Sequence, residues 1–482
     1  MTGIAIFNKG ESIMEIVRQL NGIFWGWLVA GILLCNGLFF TLRLHFPQIR
    51  YFTRLFGNLL CSMRSDSKEP GGVSGFSALC AAVGGQVGTG SLVGVATALA
   101  SGGPGAIFWM WMTAILGMPI SFAEAVLAQL FRVKNPDGTY RGGPAYYMEM
   151  GLHCNPLAIL YSFSILVGIG FFYCMIQSNS ISVALTGVAP VSPLFAGILL
   201  LILVALVIFG GIKRLSEVAS YIVPFMALGY LLMAIYVMIA HAGMIPAMLE
   251  QIFACAFTGK AAVGGVAGYT VKQAFRYGVA RGLFSNDAGN GTAPSMHATA
   301  VVPHPVNQGF AAMLGTFITT IIICSCTAFC ILLSNQLGSG ETGIALTQLA
   351  FESNLGSIGR WIVFLAMFLF GFTTLLADIY YGEVNLMILV KHPKAVTVYR
   401  LLCCAIIIAG AIAPVPVVWD LVDFASAFMV FFNVIALVGL SRYVVYALKD
   451  YARQWNYRKN DNDRPVWDFT HQIGPDDLKE QN

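Results

Sequence analysis

Long apolar stretches separated by short polar segments run through the whole chain. No Asp, Glu, Lys or Arg occurs between Gly71 and Ala123 or between Leu157 and Ile212. Because about 20 apolar residues suffice for a helix to cross a bilayer, the pattern predicts about eleven transmembrane helices. The predicted spans are 22–42, 76–100, 105–131, 157–185, 192–210, 215–241, 268–302, 307–334, 357–390, 395–413 and 417–446.

The composition fits an all-α polytopic membrane protein. Of the 482 residues, 57% are hydrophobic and 10% are charged, whereas roughly 25% are charged in soluble domains. This excludes a soluble enzyme, a disordered chain and a nucleic-acid binder with a basic face, and the net charge of +4 indicates no particular partner. The 11 cysteines include no Cys-x-x-Cys pair, so we expect no metal or redox centre.

Basic residues cluster in alternate connecting segments. The loop 335–356 contains two Glu and neither Lys nor Arg. Since Lys and Arg near the spans mark the cytoplasmic side, we expect the N-terminus outside and the C-terminus in the cytoplasm, in a plasma membrane (the bacterial inner membrane). The residues that carry this bias are Arg43, Arg50, Arg54, Arg64, Lys68, Arg132, Lys134, Arg141, Lys213, Arg214, Lys391, Lys394, Arg400, Arg442, Lys449, Arg453, Arg458 and Lys459.

Two predicted spans contain glycine clusters that end in the same pattern. Residues 84–91 read GGQVGTGS and residues 285–292 read SNDAGNGT, so both end in Gly-x-Gly followed by a hydroxyl residue. Glycine weakens helices, and unpaired backbone at mid-membrane persists only where protein or a water-filled cavity satisfies it. We therefore predict that both spans unwind locally beside a polar site.

The two clusters are five spans apart, which predicts two inverted repeats of five helices. The predicted divisions are 1–75 (extra N-terminal helix and basic cytoplasmic segment), 76–241 (first repeat), 242–450 (outer loop and second repeat) and 451–482 (cytoplasmic tail). Broken helices at matching places in two halves are typical of the substrate site of secondary transporters, and half-helix N-termini suit an anionic group. Close packing through small residues is the alternative explanation.

Several motifs resemble those of the alanine/glycine:cation symporters, also called sodium:alanine symporters. They are GPGAIFWMWM at 103–112, RGGPAYYM at 141–148, QSN at 177–179, FSNDAG at 284–289 and YGE at 381–383. The resemblance covers nearly the whole chain. It implies a leucine-transporter-like fold and uptake of a small neutral amino acid coupled to Na⁺ or H⁺, with Na⁺ as the expected coupling ion and no other cofactor.

The resemblance also implies a sodium site between the first glycine cluster and the span 357–390. In this fold, the ion is held by hydroxyls and a carbonyl of that helix and by carbonyls of the first broken helix. Threonine hydroxyls that bond to carbonyls of their own helix are the alternative explanation for two of the residues. The matching ligands are Thr373, Thr374, Phe370, Gly84 and Val87.

The amino acid is expected beside this ion. Its carboxylate would take backbone N–H groups of the first break, and its ammonium would take carbonyls around Gln86 and in the second break. The expected substrate contacts in the two breaks are Gly88, Thr89, Gly90 and Ser91 in the first and Ser285 and Asn286 in the second.

Three side chains outside the glycine clusters complete the predicted pocket. Tyr173 and Gln177 are four residues apart and share a helical face, which makes Gln177 a candidate polar contact to substrate. Phe284 is expected to wall the side-chain pocket. A Gln that bridges helices and a Phe that only packs are the alternatives.

Asp378 departs from the family pattern, because alanine-transporting relatives typically have Trp at this place. An ionisable residue inside a span indicates a functional site. Three interpretations stay open. Asp378 enlarges the pocket and accepts hydrogen bonds, which favours glycine, serine or glutamine as substrate; it is a proton or cation site; or it pairs with Tyr173 or with a basic residue of the span 268–302.

Other charged residues are candidates for gates. Glu124 and Glu383 are expected to pair with Arg132 or Arg141 near the cytoplasmic ends of helices. Arg281 is expected to pair with Asp287 or Asp420 in an outer gate.

The sequence thus predicts a secondary active symporter, with H⁺-coupled transport and a channel or receptor as alternatives. A membrane-embedded enzyme is disfavoured, since no catalytic constellation such as His-Glu-x-x-His occurs in the spans. The expected partners are a small neutral amino acid, Na⁺ or H⁺ and the lipid bilayer. We expect no nucleic acid and no obligate protein partner.

Overall fold

The computed structural model describes residues 14–64, 72–258, 270–457 and 464–469, and within them the chain is mostly helical. Lys68, Arg458 and Lys459, which the orientation prediction uses, lie outside the described residues. The apolar stretches form helices because a helix pairs its own backbone groups, as a lipid environment demands.

The N-terminal region contains one long helical segment and two shorter helices. Residues 14–23 are helical and lead into a π-helical turn. The predicted first span therefore lies within a continuous helical segment. The elements are the turn Phe24–Leu28, α1 (Val29–Arg43), α2 (Pro47–Arg50) and α3 (Phe52–Arg64).

The first predicted repeat begins with a short strand and continues through helices that match the predicted spans. The elements are β1 (Val73–Ser74), α4 (Gly75–Gln86), a π-helical turn (Gly90–Gly94), α5 (Val95–Gly102), α6 (Gly105–Leu130), β2 (Val133–Lys134), β3 (Tyr140–Arg141), α7 (Pro144–Met150), α8 (Asn155–Val167), a π-helical turn (Gly168–Tyr173), α9 (Cys174–Thr186), α10 (Pro193–Ile208) and α11 (Gly211–Ala240).

The second predicted repeat is preceded by a helix in the predicted outer loop. The elements are a 3₁₀ turn (Ala242–Met244), α12 (Ile245–Phe257), α13 (Val271–Asn286), α14 (Pro294–His297), β4 (Ala300–Val301), α15 (Pro305–Thr316), a π-helical turn (Phe317–Cys324), α16 (Ser325–Leu333), α17 (Gly343–Leu355), α18 (Ile358–Leu389), α19 (Pro393–Ile412), α20 (Val415–Gly439) and α21 (Ser441–Asn456).

Both predicted helix breaks are present. The first separates α4 from the turn that leads into α5, and the two halves are bent by 45°. The second begins at Asp287, whose φ of 54° lies in the left-handed region and ends α13. Helical structure resumes only at Pro294, where Pro suits the first turn of a helix.

The ends of the two broken segments that lie far from the breaks meet in a small parallel ladder. Val73 pairs with Ala300 and Ser74 with Val301, which joins the start of α4 to the chain that follows α14. This pairing ties the two broken segments together away from their unwound centres.

The interior of the bundle is built around α18. Its residues from Phe370 to Gly382 are all buried, whereas Leu365 nearer its start is about half exposed. Helix α11 has the opposite character, because apolar side chains such as Phe225 and Ile239 are more than two-thirds exposed. In a membrane, such side chains face lipid.

Seven of the described helices are long and apolar enough to cross a membrane, and the bent pair α4 and α5 is an eighth candidate. A multi-pass membrane protein is therefore confirmed. The predicted number of about eleven spans stays a prediction, as do the domain divisions, because three apolar helices that include α1 and α10 are shorter.

The last predicted span, 417–446, is too long. Helix α20 ends at Gly439, and α21 starts as a separate amphipathic helix two residues later. The reason is that Arg442 interrupts the apolar pattern of the predicted span. Together with Lys449, it is exposed on one polar face of α21. Helix α21 also continues across the predicted boundary at residue 450.

A group of polar and aromatic contacts closes one end of the bundle. We call residues 73–74, 300–304, 441–456 and 464–469 the tail face. Trp467 N–H donates to the Pro303 carbonyl over 2.8 Å. The ring of His304 packs against Trp467 at 5.2 Å between ring centres, and its Nε2 lies 3.3 Å from Asp450 Oδ2.

Candidate functional site

Four oxygens of the predicted ion site lie together. The hydroxyls of Thr373 and Thr374 are 3.2 and 2.8 Å from the Gly84 carbonyl oxygen. Both are also 3.0 Å from the carbonyl oxygen of Phe370, one turn earlier on α18. The structure thus brings hydroxyls and carbonyls of α18 against the last turn of α4, and such oxygen ligands suit a hard cation.

Glycine allows this close approach. A Cβ atom on Gly84 would lie 3.0 Å from Val223 and 3.2 Å from the Thr373 Cβ. A Cβ on Gly85 would lie 2.6 Å from the hydroxyl oxygen of Tyr381. The fifth predicted ligand, Val87, is fully buried one residue beyond α4, where ψ of 58° turns its carbonyl away from the helical direction.

Gln177 lies directly against the first break. Its side-chain oxygen accepts a hydrogen bond from the Thr89 N–H over 3.1 Å. A Cβ on Gly88 would lie 2.9 Å from that oxygen and 2.5 Å from the Thr374 hydroxyl. Gln177 thus binds the Thr89 N–H, one of the backbone groups that the sequence analysis assigned to the substrate carboxylate.

Ser91 is also engaged by protein. Its N–H donates to the Gly88 carbonyl over 3.2 Å, and its carbonyl accepts from the Thr327 hydroxyl over 2.7 Å. Its own hydroxyl oxygen is buried without a hydrogen-bond partner, and so is that of Thr89. Side-chain hydroxyls as well as backbone groups are therefore available for hydrogen bonds at this break.

The helical residues that flank the two breaks are in contact. The side-chain amide of Gln86 donates to the Asn286 carbonyl over 2.9 Å. A Cβ on Gly90 would lie 2.9 Å from the Cα of Ser285 and 3.0 Å from the Phe284 carbonyl oxygen. Residues 200 positions apart in sequence are thus in direct contact, as the matching glycine clusters predicted.

The second break is held by side chains from other helices. Glu124 Oε1 accepts hydrogen bonds from the Gly289 N–H over 3.1 Å and from the Asn433 amide over 2.6 Å. Asn433 also donates to the Gly289 carbonyl over 3.0 Å. Tyr161 donates to the Asn290 carbonyl over 2.9 Å. These contacts satisfy backbone groups that the missing helix leaves unpaired.

The predicted partners of Glu124 and Glu383 are wrong. Glu124 supports the second break instead of pairing with Arg132 or Arg141. Glu383 binds the guanidinium of Arg400 with contacts of 2.8 to 3.0 Å. Sequence reasoning missed Glu124 as a site residue, although its place inside an apolar span was the available signal.

Aromatic rings cover the space between the second break and α20. The Phe284 ring lies 5.0 Å from the ring of Tyr173 and 5.0 Å from that of Trp419. The Arg281 guanidinium lies 4.3 Å from the centre of the Trp419 ring. Phe284 and Tyr173, both predicted to line the pocket, are thus in contact, and Trp419, which the sequence analysis did not name, packs against Phe284.

The predicted partner of Arg281 is also wrong. Its guanidinium binds both carboxylate oxygens of Asp423 at 2.8 Å. Asp420 binds Arg18 at 2.7 Å instead, and Asp287 accepts from the Asn290 amide at 3.1 Å. Trp419 and Asp423 are one turn apart on α20, so both reach the same arginine.

The third interpretation of Asp378 is wrong as well. Tyr173 shares a 2.7 Å hydrogen bond with Ser426, and Arg281 is bound to Asp423. Asp378 is 2% exposed, and its Oδ2 atom has no hydrogen-bond partner.

The hydroxyl oxygen of Ser285, the last of the predicted substrate contacts, lies 2.9 Å from the sulfur of Cys324.

Two unwound helices that face each other beside a hydroxyl-bearing helix define a membrane transporter with the leucine-transporter-like fold. The structure resembles that of MhsT in complex with L-phenylalanine, with a TM-score of 0.59, coverage of 79% of this chain and 93% of MhsT, and 14% sequence identity. This likeness confirms the predicted fold.

The chain belongs to the sodium:alanine symporter family, whose model matches residues 10–465. It is 41% identical over 446 residues to GlnT of Bacillus subtilis, a probable sodium/glutamine symporter, with 92% of each chain covered. It is 36% identical over 444 residues to the sodium/alanine symporter AgcS of Methanococcus maripaludis, with 90% of this chain and 96% of AgcS covered. The predicted family is thereby confirmed.

Proposed function

We propose that this protein is a secondary active symporter that imports a small neutral amino acid together with Na⁺ by alternating access. Alanine and glycine are the expected substrates, with serine and glutamine as alternatives. The names of GlnT and AgcS, which are sodium/amino-acid symporters by description, support the class of substrate and ion. The residue roles below are part of the proposal.

The observation that carries the proposal is the meeting of Thr373 and Thr374 with the Gly84 carbonyl. Four oxygens from two helices lie together in the interior, and two of them belong to hydroxyl groups that can turn their hydrogens away from a cation. The Na⁺ ion would bind here, with Val87 as the fifth ligand. Because α4 belongs to a broken helix, ion binding here would hold that helix against α18.

The amino acid would lie between the breaks, next to the ion. Its carboxylate would bind the backbone N–H groups of residues 88–90, with the Gln177 side chain moving aside from Thr89. Its ammonium would bind carbonyls near Gln86 and Asn286. The ring of Phe284 packs with those of Tyr173 and Trp419. Together the three rings would close the substrate site toward one side of the membrane.

Uptake by purified protein in liposomes tests this proposal. With Na⁺ outside and K⁺ inside, labelled alanine or glycine is expected to accumulate above its outside concentration. Accumulation with a proton gradient and without Na⁺ would support H⁺ coupling instead. If no amino acid accumulates under either gradient, the proposal fails.

We also propose that the tail face lies in the cytoplasm of a plasma membrane. Arg442 and Lys449 of α21 support this orientation through the preference of Lys and Arg for the cytoplasmic side. Arg54 of α3 supports it too, because its guanidinium lies 4.6 Å from the ring centre of Trp455 in the tail face. A reporter fused after residue 482 is expected to be active in the cytoplasm, and activity only outside would overturn the orientation.

A further inference from the structure

Asp378 has a carboxyl group in the protein interior with one oxygen that nothing in the structure satisfies. The side chain is 2% exposed, and Oδ2 has no hydrogen-bond partner. The possible partners that the sequence analysis named for Asp378 include Arg281 and Tyr173, and both are bound to other residues. Buried polar atoms are nearly always hydrogen-bonded in native proteins, so an exception of this kind demands an explanation.

A second buried group without a partner lies on the same face of α18. Tyr381 follows Asp378 by three positions, and residues three apart are neighbours on a helix. The Tyr381 side chain is fully buried, and its hydroxyl has no hydrogen-bond partner. An ionised carboxylate can only accept hydrogen bonds, whereas a phenol can donate one. The two residues thus offer an acceptor and a donor one helical turn apart.

Both groups adjoin the first break. The Tyr381 hydroxyl is 2.6 Å from the position of a Cβ on Gly85. The Thr374 hydroxyl, one turn before Asp378, is 2.5 Å from the position of a Cβ on Gly88. Asp378 therefore lies on α18 between two residues that touch the first broken helix, one turn from each, and next to the proposed place of the amino acid.

The Asp378 carboxyl group and the Tyr381 hydroxyl, both without a hydrogen-bond partner, are together complementary to a carboxamide. A carboxamide presents N–H donors and a carbonyl acceptor side by side. Its NH₂ would donate to the Asp378 carboxylate, and its carbonyl would accept from the Tyr381 hydroxyl. The methyl group of alanine would leave both buried groups unsatisfied, whereas a carboxamide carries a separate donor atom and acceptor atom for the two.

We propose that Asp378 and Tyr381 form the subsite for the substrate's side chain, and that this subsite selects an amino acid with a carboxamide, glutamine or asparagine. The inference rests on the proposed amino-acid symport and names its substrate more narrowly. The two residues are specificity determinants, which contact the side chain and not the backbone groups that every amino acid shares.

The test is competition in liposomes under an inward Na⁺ gradient. Unlabelled glutamine, asparagine, serine and alanine compete with labelled alanine, and the ratio of glutamine to alanine apparent affinity is the readout. In the unmodified protein the carboxamides are expected to compete most strongly. Asp378→Ala is expected to lower the ratio by at least about tenfold, as the loss of a hydrogen bond to a charged group does.

Two further variants keep the test decisive. Tyr381→Phe is expected to lower the ratio in the same direction by a smaller factor, and it removes only one hydroxyl that makes no bond in the structure. Should Asp378→Ala fail to fold in a thermal unfolding assay, Tyr381→Phe decides. Asp420→Asn removes a carboxylate that binds Arg18 and that is assigned no contact with the substrate, and it is expected to keep the ratio of the unmodified protein.

A ratio that neither Asp378→Ala nor Tyr381→Phe changes overturns the inference. Stronger competition by serine or alanine than by glutamine in the unmodified protein overturns it too. Uptake of alanine without glutamine would reject this subsite and leave the proposed symport standing. Absence of uptake of any amino acid would reject the symport itself.

Discussion

At the scale of single residues, the site depends on glycines that let helices touch. Gly88 lies between the Thr374 hydroxyl and the Gln177 side-chain oxygen, and Gly90 lies against the backbone of the last turn of α13, next to the second break. Side chains at these places would push apart the two broken helices and α18. The glycine clusters therefore serve contact between elements as well as unwinding within them.

Replacing Gly88 with Ala is expected to reduce Na⁺-driven alanine uptake by at least about tenfold, because a misfit of about 1–3 kcal/mol enters a closely packed interior. The new Cβ would lie 2.5 Å from Thr374 Oγ1. Uptake into liposomes and thermal unfolding in detergent measure the effect. Gly229→Ala on α11 is the matched control, since no atom lies within 4 Å of its Cβ position, and uptake equal in the two variants would contradict the packing argument.

At the scale of elements, the second break persists because neighbouring helices replace its missing helical hydrogen bonds. Glu124 of α6 and Asn433 of α20 bind both backbone groups of Gly289, and Tyr161 of α8 binds the Asn290 carbonyl. Three helices from both predicted repeats thus hold one unwound segment. An unwound segment held in this way is a fixed feature of the fold.

Glu124→Leu is expected to lower the thermal stability and abolish uptake, because it leaves the Gly289 N–H and one of the two N–H donors of the Asn433 amide without an acceptor. Each buried group left unpaired costs about 1–3 kcal/mol. Glu124→Gln keeps an acceptor oxygen of the same size and is expected to retain more stability. Thermal unfolding curves compare the two variants, and equal midpoints would contradict the role assigned to the carboxylate.

The sequence indicates the elements well and their long-range partners poorly. Apolar runs and the glycine clusters predicted both breaks, since helix weakening is a local property. The bond between Glu124 and Asn433 joins residues 309 positions apart, and no local pattern indicates it. Arg281 binds Asp423 and not Asp420, because the packing of α20 decides which of its carboxylates faces α13.

At the scale of the whole molecule, the tail face joins the ends of both broken segments that lie far from the breaks to helix α21. His304 follows closely in the chain after the strand Ala300–Val301, which pairs with Val73 and Ser74. His304 is buried against Trp467 and Asp450, and burial lowers the pKa of its imidazole below the usual value of 6.5 despite the bond to Asp450. The neutral imidazole is therefore the form that fits the tail face.

Acidification is expected to weaken the tail face. The pKa of His304 is lower when the side chain is buried than when it is exposed. A state in which the tail face has opened and exposes His304 therefore binds more protons, and the stability of the closed tail face is lost as pH falls below 6.5. Limited proteolysis near residues 464–469 is expected to be faster at pH 5 than at pH 7.5. His304→Asn is expected to remove most of this pH dependence, and an unchanged dependence in that variant would contradict the assignment.

The central claim is that the oxygens of α18 and of the first break bind the coupling ion, and the Na⁺ dependence of uptake in Thr373→Val/Thr374→Val tests it most directly. Valine keeps the shape of threonine and removes both hydroxyls, so the variant is expected to transport alanine no faster with a Na⁺ gradient than without one. Thr347→Val, which removes another buried hydroxyl bonded to backbone carbonyls, is expected to keep the response. Undiminished Na⁺ dependence in the double variant would contradict the account.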